Sequence, residues 1–240
     1  MDANKTPGIP PARGIKSYVL RGGRVTAAQL RSYRNLAPEY LVPFAPEKTD
    51  FKKIFGNDRP LVVEIGFGMG AATAQIAAEN PDRNYLGIEV FRAGIGRLLL
   101  EIEKRGLKNI RLVEHDAAGV LDCMIAPASV SAFHIFFPDP WPKKRHHKRR
   151  LIKRPFTDSL AQKLLPGGYI YMVTDWEEYG EWALGELSQT PGLSNPYGGF
   201  APPRQWRPKT KFEEKGLAKN HIVRELFFIH HKLGEHNGFE

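Results

Sequence analysis

The sequence predicts a doubly wound α/β fold built on a mostly parallel sheet of seven strands. Three observations predict it. From Pro60 onward, short β-branched runs alternate with stretches of helical spacing; a glycine-rich turn joins the first run to the first helix; and acidic residues stand at the ends of successive runs. Strands separated by helices imply parallel pairing through crossovers.

The elements follow in order. Residues 1 to about 17 read as a mobile arm, and Thr26 to Tyr40 has helical spacing that Pro38 and Pro43 are expected to end. Residues 1–40 are therefore assigned to a basic N-terminal arm with a short helix, and 41–240 to a single domain. Leu61 to Ile65 is a short apolar run bounded by Pro60 and glycines, hence a buried strand, followed by a helix over Ala71 to Ala78. The alternation continues with strands at Tyr85–Val90, Ile110–Glu114 and Val130–Phe137, and helices at Ala93–Lys104 and Ala117–Met124. A helix from Phe156 to Leu165 closes at Pro166-Gly167-Gly168, ahead of a strand at Tyr169–Thr174 and a helix at Glu177–Leu187. Pro191 to Pro208 reads as a functional loop holding at most a short strand, and the last strand is Ile222–His231.

Composition narrows the function. With 42% apolar residues in 240, the chain can bury an ordinary core. Cys123 is the only cysteine, so an internal disulfide and a multi-cysteine zinc site are both excluded. No apolar run reaches the roughly 20 residues of a membrane span, and prolines occupy the place of a signal-peptide core; a cytoplasmic protein is expected. The formal net charge of +9 suggests a polyanionic partner, and its clustering sharpens the suggestion: Lys143 to Arg154 reads KKRHHKRRLIKR without one acidic residue. The competing reading of that run is a solvated loop or a targeting signal.

Glu64-Ile-Gly66-Phe-Gly68-Met-Gly70 lies between the first strand and the first helix. Glycines there allow a sharp turn and a close backbone approach to a ligand. Gly66, Gly68 and Ala71 also satisfy a dinucleotide fingerprint, so a nicotinamide or flavin nucleotide competes. Glu89 ends the second strand, where a carboxylate accepts from ribose hydroxyls, and Asp116 follows the third, within reach of an adenine amino group. An acidic Glu64 inside the turn would repel a pyrophosphate and complement a cation, which favours S-adenosylmethionine.

After the fourth strand comes Phe136-Phe137-Pro138-Asp139-Pro140-Trp141-Pro142-Lys143-Lys144. With this motif the chain resembles the bacterial tRNA (guanine-N7-)-methyltransferases over roughly residues 15–232. Glu64 to Gly70, Gly87-Ile88-Glu89-Val90, Thr174-Asp175-Trp176 and Thr210-Lys211-Phe212-Glu213 strengthen the likeness. The resemblance implies a Rossmann-like class I methyltransferase domain that transfers methyl from S-adenosylmethionine to N7 of guanine 46 in the tRNA variable loop. It implies cofactor contacts at Glu64, Gly66, Gly68, Gly70, Glu89, Asp116 and Asp139, with Asp139 also catalytic. It implies substrate contacts at Lys143, Asp175, Thr210, Lys211, Phe212 and Glu213, and RNA contacts at Arg145, His146, His147, Lys148, Arg149 and Arg150. Partners are expected to be tRNA and not DNA or membrane; relatives include monomers and homodimers.

The chemistry asks little of a base, because N7 of neutral guanine already presents a lone pair. In-line alignment matters most, and a carboxylate such as Asp139 can stabilise the positive charge gained by the purine. Asp175 or Glu213 can accept from the guanine edge, and Trp141 or Phe212 can stack on an extruded base or simply pack. His146 and His147 lie among cations and are not expected to bind metal. Two alternatives stay open: a methyltransferase of this fold with another RNA or small acidic substrate, and an RNA-binding protein that has lost transfer activity.

Overall fold

The computed structural model describes residues 16–19, 25–209, 213–214 and 222–231. Its sheet has seven strands: β1 Leu61–Ile65, β2 Asn84–Glu89, β3 Ile110–Glu114, β4 Val130–Phe136, β5 Leu164–Thr174, β6 Leu193–Ser194 and β7 Arg224–His230. Their order is β3-β2-β1-β4-β5-β7-β6. The first five strands in that order pair in parallel, whereas β7 runs antiparallel to both β5 and β6. The sheet is thus mostly parallel, with β7 reversed.

Each face of the sheet is covered by helices, which is why β1 is buried along its whole length and reads as an unbroken apolar run. One face carries α1 Ala27–Tyr40, α3 Ala71–Glu79 and α4 Arg92–Arg105, packed through Ile76, Ile95, Leu98, Leu99 and Ile102. The other carries α2 Phe51–Phe55, α5 Ala117–Cys123, α6 Phe156–Lys163 and α7 Glu177–Ser188, packed through Val120, Leu121, Leu160, Tyr179 and Leu187. Among the described residues, no helix is long and apolar enough to cross a membrane.

Several local expectations are revised. Pro38 does not end α1: it sits in the last turn, and the helix runs to Tyr40. A capping box between Thr26 and Gln29 starts that helix, a feature that contributes about 1 kcal/mol. Gln29 Nε2 and the Tyr40 hydroxyl then donate to the carbonyls of Ala93 and Leu107 at 3.2 and 2.9 Å, fastening α1 to α4. Helix α6 stops at Lys163, and β5 begins at once with Leu164 paired to Val130. The Pro166-Gly167-Gly168 stretch is therefore a bulge within β5, and the register shifts between Val130 and Ala132 to accommodate it. The charged run contains a 3-10 helix at Lys144–Arg149, and α2 is a further short element that the sequence did not indicate.

Candidate active site at the carboxyl edge of the sheet

Parallel registry brings the carboxyl ends of five strands to one edge: Ile65 pairs with Ile88, Glu89 with Glu114, and Phe136 with Val173. The strand order reverses between β1 and β4, and in open α/β sheets ligands bind at such a switch point. The glycine turn occupies that place. Gly66 and Gly68 have φ of 74° and 58°, a region open to glycine, and a Cβ built on either meets no atom within 4 Å. Open space thus faces the turn. Gly94 serves close packing instead, since a Cβ there would lie 2.0 Å from the Gly68 carbonyl oxygen.

Glu89 ties the turn to β2. Its Oε2 accepts from the Gly68 N–H at 2.8 Å, and its Oε1 accepts from the N–H groups of Val90 and Phe91 at 2.7 and 3.0 Å. A carboxylate offers about four acceptor positions, so one ribose hydroxyl can bind at Oε2 without rearrangement. Burial pushes the Glu89 carboxyl above its ordinary range against the opposing effect of those N–H groups, and the charge of Asp139 pushes the same way.

Glu64 lies behind the turn, 3% exposed. Burial pushes its carboxyl up to about 8, with Thr73 lowering it and Glu89 raising it further. A group held neutral in this way ionises when a cation approaches. Asp116 caps α5 through the Ala118 N–H at 3.2 Å. With Ser17, Lys148 and Arg149 it also lines a cavity of about 110 Å³. These side chains fit an adenosine-bearing cationic donor: open space over the turn, acceptors at two strand ends, and a buried acid that a positive charge would ionise.

Asp139 stands between two residues in the left-handed region, Phe137 at φ 52° and Trp141 at φ 48°. Non-glycine residues there cost about 1 to 3 kcal/mol each, and such strain clusters at functional sites. Three bonds hold the bend. The Phe137 N–H donates to Val173 at 2.8 Å, Arg150 Nε to the Pro140 carbonyl at 3.0 Å, and Trp141 Nε1 to the Ser17 carbonyl at 3.0 Å. Asp175 follows β5, half-buried, at the same edge.

The basic run divides into two populations. Lys143, Lys144, Arg145 and Lys148 are exposed. Arg150 is fully buried, and this corrects its assignment as an RNA contact: the guanidinium is paired with Glu178, bonded to His147 and packed against the rings of Tyr179 and Trp182. Arg149 lies 3.9 Å over the Trp141 ring and donates to the carbonyls of Lys16 and Tyr18 at 3.0 and 2.9 Å. One face of Trp141 is accordingly covered. His146 and His147 are half-buried against Trp141 and Trp182.

Thr210, Lys211 and Phe212 lie outside the described residues. Glu213 is buried, and both of its carboxylate oxygens accept from Arg207, at 2.6 and 2.8 Å. The sequence reading missed Arg207, Glu225 and Tyr171, which complete this cluster. A signal for them existed: Glu225 adjoins the apolar run Leu226–Ile229 within a strand, and an acid buried in such a place needs a cation.

Comparison with known proteins bears on this arrangement. Residues 58–226 match the family described as "Putative methyltransferase". A tRNA (guanine-N(7)-)-methyltransferase of Paraburkholderia xenovorans (strain LB400) is 49% identical over 90% of this chain and 83% of its own. Proteins of the same description from Treponema pallidum (strain Nichols) and Bordetella pertussis (strain Tohama I) are 48% and 47% identical; the alignments cover 90% and 94% of this chain and 96% and 89% of theirs. Among solved structures, the 16S rRNA methyltransferase KamB superposes with a TM-score of 0.57 over 78% of this chain and 95% of its own, at 14% identity, a likeness of fold.

Proposed function

The chain belongs to the tRNA (guanine-N7-)-methyltransferase family, and we propose that it transfers methyl from S-adenosylmethionine to N7 of guanine 46 in the variable loop of tRNA. The observation that carries this reading is the bend at Phe137–Trp141, which follows the carboxyl end of β4, the strand next to β1 and its glycine turn, and holds Asp139 at that edge.

S-adenosylmethionine supplies, when bound, an electrophilic methyl group on a sulfonium. Glu64, Gly66, Gly68, Gly70, Glu89 and Asp116 would hold it, with Glu89 accepting from the ribose and Asp116 from the adenine amine. The guanine N7 lone pair is available without deprotonation, so the residues of the chain orient the base and answer its developing charge. Asp139, pinned by two strained neighbours, supplies a carboxylate for that charge. Asp175 is suited to the guanine N1–H and amine edge, while the engaged oxygens of Glu213 suit it to support of the site. Lys143, Lys144, Arg145 and Lys148 are suited to phosphates, which position RNA without reading its sequence.

The test is to incubate the purified protein with methyl-labelled S-adenosylmethionine and bulk tRNA, then map the product. Label is expected in 7-methylguanine at position 46. S-adenosylhomocysteine should raise the melting temperature and NAD should leave it unchanged. Label at another base, label confined to small molecules, or stabilisation by NAD alone would overturn the reading.

A further inference from the structure

Behind the Asp139 bend lies a buried charge cluster to which the donor edge assigns no role. Arg207, Glu213 and Glu225 are 7%, 5% and 2% exposed. Arg207 Nη1 and Nη2 donate to Glu213 at 2.6 and 2.8 Å, Nη2 donates to Glu225 Oε1 at 2.9 Å, and Nε donates to the Tyr171 hydroxyl at 3.1 Å. That hydroxyl donates to Glu225 Oε2, which also accepts from the Arg204 N–H at 3.1 Å. The guanidinium stands 6.0 Å from the ring of Phe137, the first strained residue of the bend.

Three charges removed from water at this depth are a poor source of stability. Desolvation costs several kcal/mol per ion, and well-packed apolar residues commonly serve a fold as well or better. Apolar packing does not supply direction, however. A forked guanidinium with bidentate bonding fixes the angle and depth of its partners. Here it fixes Glu213 to β5 through Tyr171 and to β7 through Glu225, with its guanidinium over the Phe137 ring at 6.0 Å.

We propose that Arg207 is a positioning residue for methyl transfer, locking Glu213 and the Phe137 end of the Asp139 bend into one rigid unit on the sheet. The proposal rests on the reading of Asp139 given above. The role assigned to Arg207 needs no contact with donor or base; it acts through the placement of the bend. A small displacement is sufficient to matter, since a misplacement of about 1 Å can lower a rate about a hundredfold.

The experiment compares Arg207→Lys, which keeps the charge and loses the fork, with Tyr171→Phe, which removes one hydroxyl and keeps the ring. Both are measured by single-turnover methyl transfer at saturating tRNA, tRNA affinity, S-adenosylhomocysteine affinity and melting temperature. A 4-fluorophenylalanine placed at position 137 reports on the bend independently of activity. Arg207→Lys is expected to lower the single-turnover rate about a hundredfold and Tyr171→Phe less, with both affinities within about threefold of the parent and the fluorine resonance shifted in both variants. If Arg207→Lys fails to fold, Tyr171→Phe carries the comparison. Parent-like rates with an unmoved fluorine resonance would overturn the proposal. So would a rate loss that vanishes when parent and variant are compared equally far below their melting temperatures. If the parent itself transfers no methyl to tRNA guanine, the reading of the function fails, and the fluorine shift alone still decides whether Arg207 holds the bend.

Discussion

Arg150 Nε donates to the Pro140 carbonyl at 3.0 Å, so a fully buried cation grips the backbone one residue beyond Asp139. The same guanidinium is paired with the exposed Glu178 and lies over the Tyr179 and Trp182 rings, and the Arg150 hydrogen bond holds the Glu178 carboxyl below its ordinary range. A residue inside a run of surface cations is thus an internal fastening of the bend.

Arg150→Lys is expected to destabilise the protein by about 1 to 3 kcal/mol, because the Pro140 carbonyl loses its donor and the buried guanidinium loses its fork. Chemical denaturation reads that loss. The salt dependence of tRNA binding should stay at the parent slope, and a slope that flattens would return Arg150 to the RNA surface.

Replacing Lys143, Lys144, Arg145 and Lys148 together by alanine should weaken tRNA binding and flatten the plot of log affinity against log salt. The expected change is about 0.7 to 0.9 in slope for each phosphate that the variant no longer neutralises. Identical slopes for parent and variant would make these four cations bystanders. Binding of S-adenosylhomocysteine serves as the control and should not change.

If Glu64 holds the donor as proposed, donor binding is expected to depend on pH. Its carboxyl titrates near 4.5 in the unfolded chain and near 8 in the folded one, so the folded state binds the extra proton between those values. Stability from this group is full below the lower value and declines as pH rises toward 8. A sulfonium ligand favours the ionised form, and its affinity should therefore rise from pH 6 to 8 and level off above. S-adenosylhomocysteine, lacking that charge, should show a weaker rise. Titration calorimetry in buffers of different ionisation heat measures the released proton, and parallel pH curves for the two ligands would remove Glu64 from the donor site.

Asp139→Asn keeps the volume and removes the charge proposed to face the purine. Single-turnover transfer should fall by about 10²-fold or more, in line with the removal of one electrostatic stabiliser of the transition state, while tRNA affinity holds. Melting temperature should rise slightly or stay level, since Asp139 and Glu89 repel one another. Parent-like transfer would assign Asp139 to structure alone.

What the sequence made legible were features of short range. Leu61–Ile65 and Ile110–Glu114 are found at the residues expected for them, because a short apolar run bounded by turn residues has few other fates. The glycine turn and Glu89 were readable for the same reason. The Lys144–Arg149 helix was not, since a run of charges carries no apolar period. Phe51–Phe55 is five residues long, too short for a helical pattern to register. Leu164 and Leu165 looked like the last residues of a helix because Pro166 and Gly167 mark helix ends and strand bulges alike. The burial of Arg150 and the Arg207 cluster depends on partners 28 and 36 residues away in Glu178 and Tyr171, and local pattern does not encode such pairings.

Because β7 runs opposite to its neighbours, its first residue, Arg224, lies beside Thr174 at the edge where the parallel strands finish. The start of β7 is thereby brought to the carboxyl edge of the sheet from the far end of the chain, separately from the turn between β1 and α3. Under the function proposed above, a change at the start of β7 would reach that edge without touching the turn that would hold the methyl donor, a separation that one reversed strand provides.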